Sequence, residues 1–355
     1  MVLSKVEGMV PLLEKLSRTV PQCLWHSEPG GVIRCVACAH RCKIAEGKDG
    51  ICKVRGRRNN QLVVPWGYVA GIQADPIEKK PFFHAYPGSV AFSFGMLGCD
   101  IHCSYCQNWV TSQVGRDENA DGAPVPTSVS ELMTLSKGAG AKVLVSTYNE
   151  PLITSEWAVE IFKSGKAAGF QTAYVSNGNA TPEVLEYIRP YVDLYKIDLK
   201  SFQEKHYREL GCKLESVIDS IRRVYEMGFW LEVVTLLIPG FNDGDEEIRS
   251  LTEFLASVSP EIPWHATAYH PDYQMLDRGK TPLENLYRAK EWAEKAGLKY
   301  VYLGNAPGRV AEWEDTRCSK CHATLIERKG FRVLSNRIKD SKCPDCSNVI
   351  PGRWE

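Results

Sequence analysis

Between residues 89 and 305 short apolar runs alternate with longer stretches of helical period. The runs are "SVAFSFG" (89–95), "KVLVSTY" (142–148), "TAYVSNG" (172–178), "LYKIDLK" (194–200), "LEVVTLLIPG" (231–240), "HATAYHP" (265–271) and "YVYLGN" (300–305). Their β-branched and aromatic content and short length predict strands. The intervening stretches announce helices by their ends. "TSVSELMTLSKGAG" starts in a Ser/Thr cluster and stops at glycine, and "TPEVLEYIRP" offers Thr181 as N-cap with Pro182 at the first helical position. "TPLENLYRAKEWAEKAG" repeats that Thr-Pro start and ends at Gly297. Regular strand–helix alternation predicts parallel strands with helices outside, an α/β fold built as a partial (β/α) barrel of about six to seven strands.

In such folds the active site forms at the C-terminal strand ends. The unusual polar residues of this chain follow the strands: Cys99 after the first, Tyr148, Asn149 and Glu150 after the second, and Ser176 and Asn177 after the third. Asp198 and Lys200 end the fourth, Asn242 and Asp243 follow the fifth, His270 ends the sixth and Asn305 the seventh. Ordinary turn and capping chemistry accounts for Asn242 and Asp243. It accounts less well for Asp198 and Lys200, because charges at a strand end need a partner. Residues 1–85 form an N-terminal helix and cysteine-rich module, 86–310 the barrel, and 311–355 a separate cysteine module. The N-terminal helix places Val6, Val10, Leu13 and Leu16 on one face.

Composition changes this picture little. The 355 residues carry 43 basic and 43 acidic side chains and 44% hydrophobic residues, so the chain is globular without a global charge signature for nucleic acid. The local "RGRRNN" (55–60) reads as a solvated turn. No apolar run approaches the ~20 residues of a membrane helix, and "MVLSKVEGMVPLLEKL" is charged and short of the apolar core of a secretory signal, which predicts a cytoplasmic protein without a membrane partner.

Cysteine usage changes it a great deal. Thirteen cysteines in a reducing compartment favour metal over disulfides. Cys23 and Cys212 stand alone and read as small buried hydrophobes. Cys318, Cys321, Cys343 and Cys346 have zinc-ribbon spacing, C-x2-C twice, and a metal would stabilise a chain end with too little core to fold alone. Cys35, Cys38, Cys42 and Cys52 form a second four-thiolate set, fitted to zinc or to a second iron–sulfur cluster. Cys99, Cys103 and Cys106, spaced C-x3-C-x2-C, are three. Three thiolates on a four-iron cluster leave one iron for a small molecule, and Tyr105 before the last cysteine can shield it. The glycines of "FGMLGC" let backbone approach a bulky cluster.

This C-x3-C-x2-C, directly after the first strand of a βα repeat, resembles the radical S-adenosylmethionine superfamily. "DPIEKKPFFHAYPGS", "TYNEP", "IDLKSF", "LLIPGFND" and "YVYLGN" are similar to the AmmeMemoRadiSam-system radical enzymes, related to the pyruvate formate-lyase activating enzymes. The resemblance implies a 4Fe–4S cluster on Cys99, Cys103 and Cys106. It also implies reductive cleavage of S-adenosylmethionine to a 5′-deoxyadenosyl radical that takes hydrogen from a substrate. In the activating enzymes the turn after strand two reads Gly-Gly-Glu, and its glutamate holds the methionine amino group. Here Tyr148 and Asn149 replace the glycines beside Glu150. Asn177 is expected at the ribose, and Asp198 with Lys200 at the zwitterionic methionine.

The substrate is expected against strands five to seven. There His265, Thr267 and Tyr269 face inward by strand alternation, His270 faces away, and Tyr302 and Asn305 complete the pocket. His265 and Tyr269 are the candidate catalytic pair. A reducing partner such as ferredoxin or flavodoxin is implied, with AMME-type and Memo-type proteins as further candidate partners. The rival reading is a non-catalytic iron–sulfur or zinc electron carrier or interaction protein. It explains the outer cysteine groups but leaves the strand-end polar residues idle.

Overall fold

The computed structural model describes residues 15–355, so most of the expected N-terminal helix, including Val6, Val10 and Leu13, lies outside the described residues. All seven runs form strands. Among the described residues the largest sheet begins with an edge strand β1 (Gly71–Pro76), followed by β2 (Val90–Gly95), β3 (Val143–Ser146) and β4 (Gln171–Ser176). It continues through β5 (Leu194–Asp198), β6 (Trp230–Leu237), β7 (Trp264–Ala268) and β8 (Val301–Gly304), in chain order. Strands β2 to β8 are parallel, and β1 pairs antiparallel with β2. Parallel neighbours need crossovers, supplied here by α1 (Val129–Gly138), α2 (Ser155–Ala167), α3 (Pro182–Ile188), α4 (Glu204–Leu210), α5 (Leu214–Glu226), α6 (Asp245–Val258) and α7 (Leu283–Lys295).

The predicted starts hold for two helices. Ser128 caps α1 in a reciprocal box with Glu131, and Thr181 Oγ1 accepts from Val184 N (3.1 Å) at the head of α3. The third differs. Thr281 does not cap α7: its hydroxyl donates to Leu237 O (2.6 Å) and accepts from Tyr269 N (2.7 Å), and Pro282 becomes the N-cap. Two strand ends need those bonds more than the helix does, because buried backbone groups cost more unpaired than exposed ones.

The parallel strands β2 to β8 are buried on both faces, which is why they read as near-continuous apolar runs. On the outer face Phe94, Leu144, Tyr174, Tyr195, Val233 and Trp264 pack under the helices. On the inner face Ala91, Val143, Val145, Ala173 and Leu194 meet Ile77, Phe82, Ala85 and Tyr86. The segment 77–86 thus plugs the base of the sheet and leaves its upper end open. A smaller core of Phe83, Tyr300 and Tyr302 with Leu325, Ile326 and Ile350 joins the sheet to the C-terminal module. That module is a three-stranded antiparallel sheet, β9 (Thr316–Arg317), β10 (Thr324–Lys329) and β11 (Arg332–Asn336). Among the described residues no helix is long and apolar enough to cross a membrane.

Candidate active site

A cavity of about 410 Å³ opens at the C-terminal strand ends. One wall is the loop after β2, through Cys103, Tyr105 and Cys106; the floor is Lys196, Asp198 and Lys200 of β5 and its extension. The far wall is Val234 and Leu236 of β6, His265 and Thr267 of β7, and Asn305 after β8. Register explains the grouping: Lys196 pairs Glu232, Asp198 pairs Val234, Val234 pairs His265, and Leu236 pairs Thr267, so these side chains share one face.

The motif loop is held close. Gly95 allows the turn after β3 to approach, since a Cβ there would lie 2.5 Å from Thr147 O. Gly98, with φ +87°, faces Cys52 O and Val54 of the N-terminal module rather than the motif thiols, which corrects the expected reason for glycine. Cys106 Sγ lies 3.2 Å from Ser112 Oγ. Burial pushes the Cys103 thiol up to about 12, so a thiolate is stable there only beside a cation such as iron. Among the described residues only the C-terminal cysteines bring three or more such ligand atoms within 4.8 Å of one another. Cys99, Cys103 and Cys106 therefore stand too far apart to share a single tetrahedral ion. They suit a cluster whose irons each take one thiolate.

Glu150 and Asn177, expected at the mouth, instead build the wall behind the loop. Glu150 Oε1 accepts from Leu152 N (3.1 Å) and Ser176 Oγ (2.7 Å), and Oε2 from Asn177 N (2.7 Å). Asn177 Nδ2 and Asn179 Nδ2 donate to the two oxygens of buried Asp100 (2.7 and 2.8 Å). Burial and the nearby Asp100 push Glu150 up to about 8. Neither Glu150 nor Asn177 lines the cavity. Asn149 Oδ1 accepts from Met96 N (3.0 Å), which fixes the approach to the cysteine loop. Tyr148 does line the cavity, at a φ of +73°, with Lys80 Nζ 3.4 Å from its hydroxyl.

The charges at the end of β5 are partnered, as strand-end charges must be. Asp198 contacts Lys196 Nζ through Oδ1 and Lys200 Nζ (3.4 Å) through Oδ2. Burial would raise Asp198, but the two ammonium groups outweigh it and hold the carboxyl below its usual range. Lys196 escaped the sequence reading. Its signal was there: in "YKIDLK" the three charges sit at alternate positions of one strand.

The substrate-side expectations divide. His265 and Thr267 face the cavity and Asn305 lines its rim, but Tyr269 does not reach it. Strand β7 ends at Ala268, so alternation stops there, and the Tyr269 hydroxyl bonds the Met275 carbonyl. Tyr302 shares the face of His265 but lies beneath it, with its hydroxyl between His84 Nε2 (2.6 Å) and Thr316 Oγ1 (2.9 Å). His270 is exposed and meets Gln107 Nε2 (2.9 Å). The sequence reading also missed Glu232, buried at the base. It accepts from Phe83 N (2.9 Å), His84 N (2.9 Å), Trp230 Nε1 (3.0 Å) and His265 Nε2 (2.7 Å). A lone glutamate in an apolar strand is its only sequence signal.

The outer cysteines fall into two geometries. Cys318 Sγ lies 3.5 Å from Cys346 Sγ, and Cys321 Sγ 3.7 Å from Cys343 Sγ. Thiolates about 2.3 Å from one tetrahedral ion stand about 3.8 Å apart, so these four form a metal site. Cys35, Cys38 and Cys52 are buried and Cys42 is half-buried beside them. "RGRRNN" is no solvated turn. Arg55 is 1% exposed, its guanidinium bridging Glu156 (2.7 Å at both oxygens) with Nε on Cys35 Sγ (3.3 Å). Arg57 is buried too, and only the Asn59–Asn60 end turns in solvent. Cys23 is exposed, contrary to expectation, while Cys212 is buried.

Comparison with known proteins bears on the same loop. The profile of the Radical SAM superfamily matches residues 95–255. The uncharacterized protein MJ0808 of Methanocaldococcus jannaschii is 33% identical over 322 residues, 90% of this chain and 95% of its own length. The pyruvate formate-lyase-activating enzyme of Staphylococcus epidermidis is 25% identical over 235 residues, 59% of this chain and 88% of that one. A crystal structure of a domain of the pyruvate-formate lyase-activating enzyme from Bacteroides vulgatus is 25% identical with a TM-score of 0.41. It covers 45% of this chain and 98% of its own.

Proposed function

The chain belongs to the radical S-adenosylmethionine superfamily, and from that premise we propose that it generates a 5′-deoxyadenosyl radical in this cavity and uses it to take hydrogen from a substrate. Superfamily membership implies an iron–sulfur enzyme that cleaves S-adenosylmethionine reductively. Cys99, Cys103 and Cys106 would hold the cluster, which when bound and reduced would supply the electron for cleavage of the sulfonium S–C bond. The observation that carries the reading is that Cys103 and Cys106 open onto the same cavity as the charges of Lys196, Asp198 and Lys200. The chain's own residues then bind and orient. Asp198 accepts from the methionine ammonium, and Lys196 or Lys200 donates to its carboxylate. Tyr105 closes one side, and His265 and Thr267 face the substrate from β7. His265, fixed by Glu232, orients substrate; Tyr269 has no part in this. A low-potential one-electron donor of the ferredoxin or flavodoxin class completes the cycle.

The test is anaerobic reconstitution, dithionite reduction and an assay for 5′-deoxyadenosine; an electron carrier would form none. In the same assay Asp198→Ala is expected to weaken S-adenosylmethionine binding about 10- to 100-fold, the range of one charge-assisted hydrogen bond. Wild-type affinity in both Asp198→Ala and Lys200→Ala would remove them from the binding site.

We assign zinc to the four C-terminal cysteines, supported by their near-tetrahedral thiol spacing. Against the burial that would raise it, the N–H groups of Cys321 and Lys320 bring the Cys318 thiol down to about 7, easing thiolate formation. Cys343→Ala is expected to lower the thermal midpoint and solubility before it alters the motif cluster. Elemental analysis finding iron and no zinc in this module would overturn the metal assigned.

A further inference from the structure

The N-terminal cysteines match neither a disulfide set nor the single-ion geometry of the C-terminal module. No cysteine of the described residues is paired in a disulfide. The C-terminal four show what a single-ion site looks like in this chain, with every thiol within 4.8 Å of the others. No three of Cys35, Cys38, Cys42 and Cys52 approach each other that closely. In this they resemble Cys99, Cys103 and Cys106, the set that the superfamily gives to a four-iron cluster. A tetrahedral zinc holds its thiolates about 3.8 Å apart, and no three of these stand at that spacing. A four-iron cluster spreads its thiolates further, one on each iron.

The surroundings are built for such a group. Cys35 ends a short strand (Val32–Cys35), and its backbone N donates to Cys42 O (3.0 Å), closing the loop that carries Cys38. Arg55 Nε (3.3 Å) points at Cys35 Sγ and Ile51 N (3.5 Å) at Cys42 Sγ, donors that stabilise thiolate charge. The buried guanidinium of Arg55 is itself fixed by both oxygens of Glu156. The set is also locked to the motif loop. His40 Nε2 bonds Asp100 O (3.0 Å), one residue past Cys99, and Ala39 N donates to Asn179 O (2.9 Å). Arg116 spans the two loops, from Ile51 O (2.6 Å) to Ile101 O (3.1 Å).

We propose that Cys35, Cys38, Cys42 and Cys52 hold a second iron–sulfur cluster, of the four-iron class with a cysteine on every iron, seated directly beside the loop of the first. With every iron ligated it offers no site to S-adenosylmethionine; it can only store and pass single electrons and brace the loop.

The experiment uses the full chain, reconstituted anaerobically with iron, sulfide and zinc, and measures iron, acid-labile sulfide and zinc together with low-temperature electron paramagnetic resonance after reduction. The variant Cys99→Ala/Cys103→Ala/Cys106→Ala keeps every N-terminal ligand. It is expected to retain about half of the wild-type iron and sulfide, about one zinc, and a four-iron signal unmoved by S-adenosylmethionine. Absence of sulfide with about two zinc ions per chain would overturn the proposal. The complementary variant Cys38→Ser/Cys52→Ser is expected to lose the other half of the iron and keep the motif cluster's signal. Full iron in that variant would also overturn it. The iron count of the triple variant does not depend on whether the wild type cleaves S-adenosylmethionine, so failure of one reading is separable from failure of the other.

Discussion

Cys103→Ala is expected to abolish formation of 5′-deoxyadenosine, by at least about three orders of magnitude. Cys103 is buried and faces the cavity floor, with Lys200 among its nearby charges. Its thiol is held protonated by burial unless a cation stands beside it. Alanine leaves two thiols, Cys99 and Cys106, too few to hold a four-iron cluster in place. Electron transfer to the sulfonium then has no donor, whatever the affinity of the cavity for its ligand. The measurement is single-turnover 5′-deoxyadenosine yield, with iron content and circular dichroism recorded on the same sample. Undiminished yield in Cys103→Ala would end the assignment of the cluster to this loop.

The second large effect is on stability. Glu232→Ala is expected to destabilise the fold by about 3–5 kcal/mol, the cost of removing one partner from a buried charged network. Glu232 is 0% exposed and takes four donors from three parts of the chain. Burial alone would raise it, but the His265 bond and the Phe83 N–H hold the carboxyl below its usual range. An ionised carboxylate only accepts, so His265 must donate through Nε2. His84 donates through Nδ1 to Pro351 O (2.7 Å) and so accepts from the Tyr302 hydroxyl at Nε2. This arrangement requires a neutral His84, and burial lowers its pKa to about 4.

The pH dependence follows in sign. His84 has a folded pKa below its unfolded value near 6.5, so its contribution is complete above pH 6.5 and is lost as pH falls towards 4. Glu232, also depressed, adds a loss at still lower pH. Glu150, raised to about 8, carries the opposite slope over this window, so the profile is read in Glu150→Gln, whose thermal midpoint should fall steadily from pH 6.5 to 4. A flat profile there, or a loss below about 1 kcal/mol in Glu232→Ala, would mean the network does not hold the base of the sheet.

Strand and helix order was legible because it rests on local signals. Short β-branched and aromatic runs, a period near 3.6 and the chemistry of Ser128, Thr181 and Pro182 act over a few residues. Thr281 shows where such signals stop: its hydroxyl is taken by Leu237 and Tyr269, partners distant in sequence. Tyr269 failed for a related reason, since alternation holds only while the strand lasts, and β7 ends one residue earlier.

Sequence by itself placed three closely spaced cysteines after the first parallel strand, a four-cysteine set with metal-site geometry at the end of the chain, and charges closing the fourth parallel strand. Spacing decides these, because ligands to one metal group must lie within a few residues or on paired knuckles. Only the tertiary structure decided which polar groups face the cavity and which are engaged within the wall. Glu150, read as a ligand to ammonium, is satisfied by Leu152, Ser176 and Asn177, whereas unnoticed Lys196 faces the cavity beside Asp198. Only the fold sets Cys38 and its loop against Asp100, and Glu232 beneath His265. The physical reason is that a buried polar group must find its donors wherever the chain brings them, and sheet register and loop packing, not sequence distance, choose those neighbours.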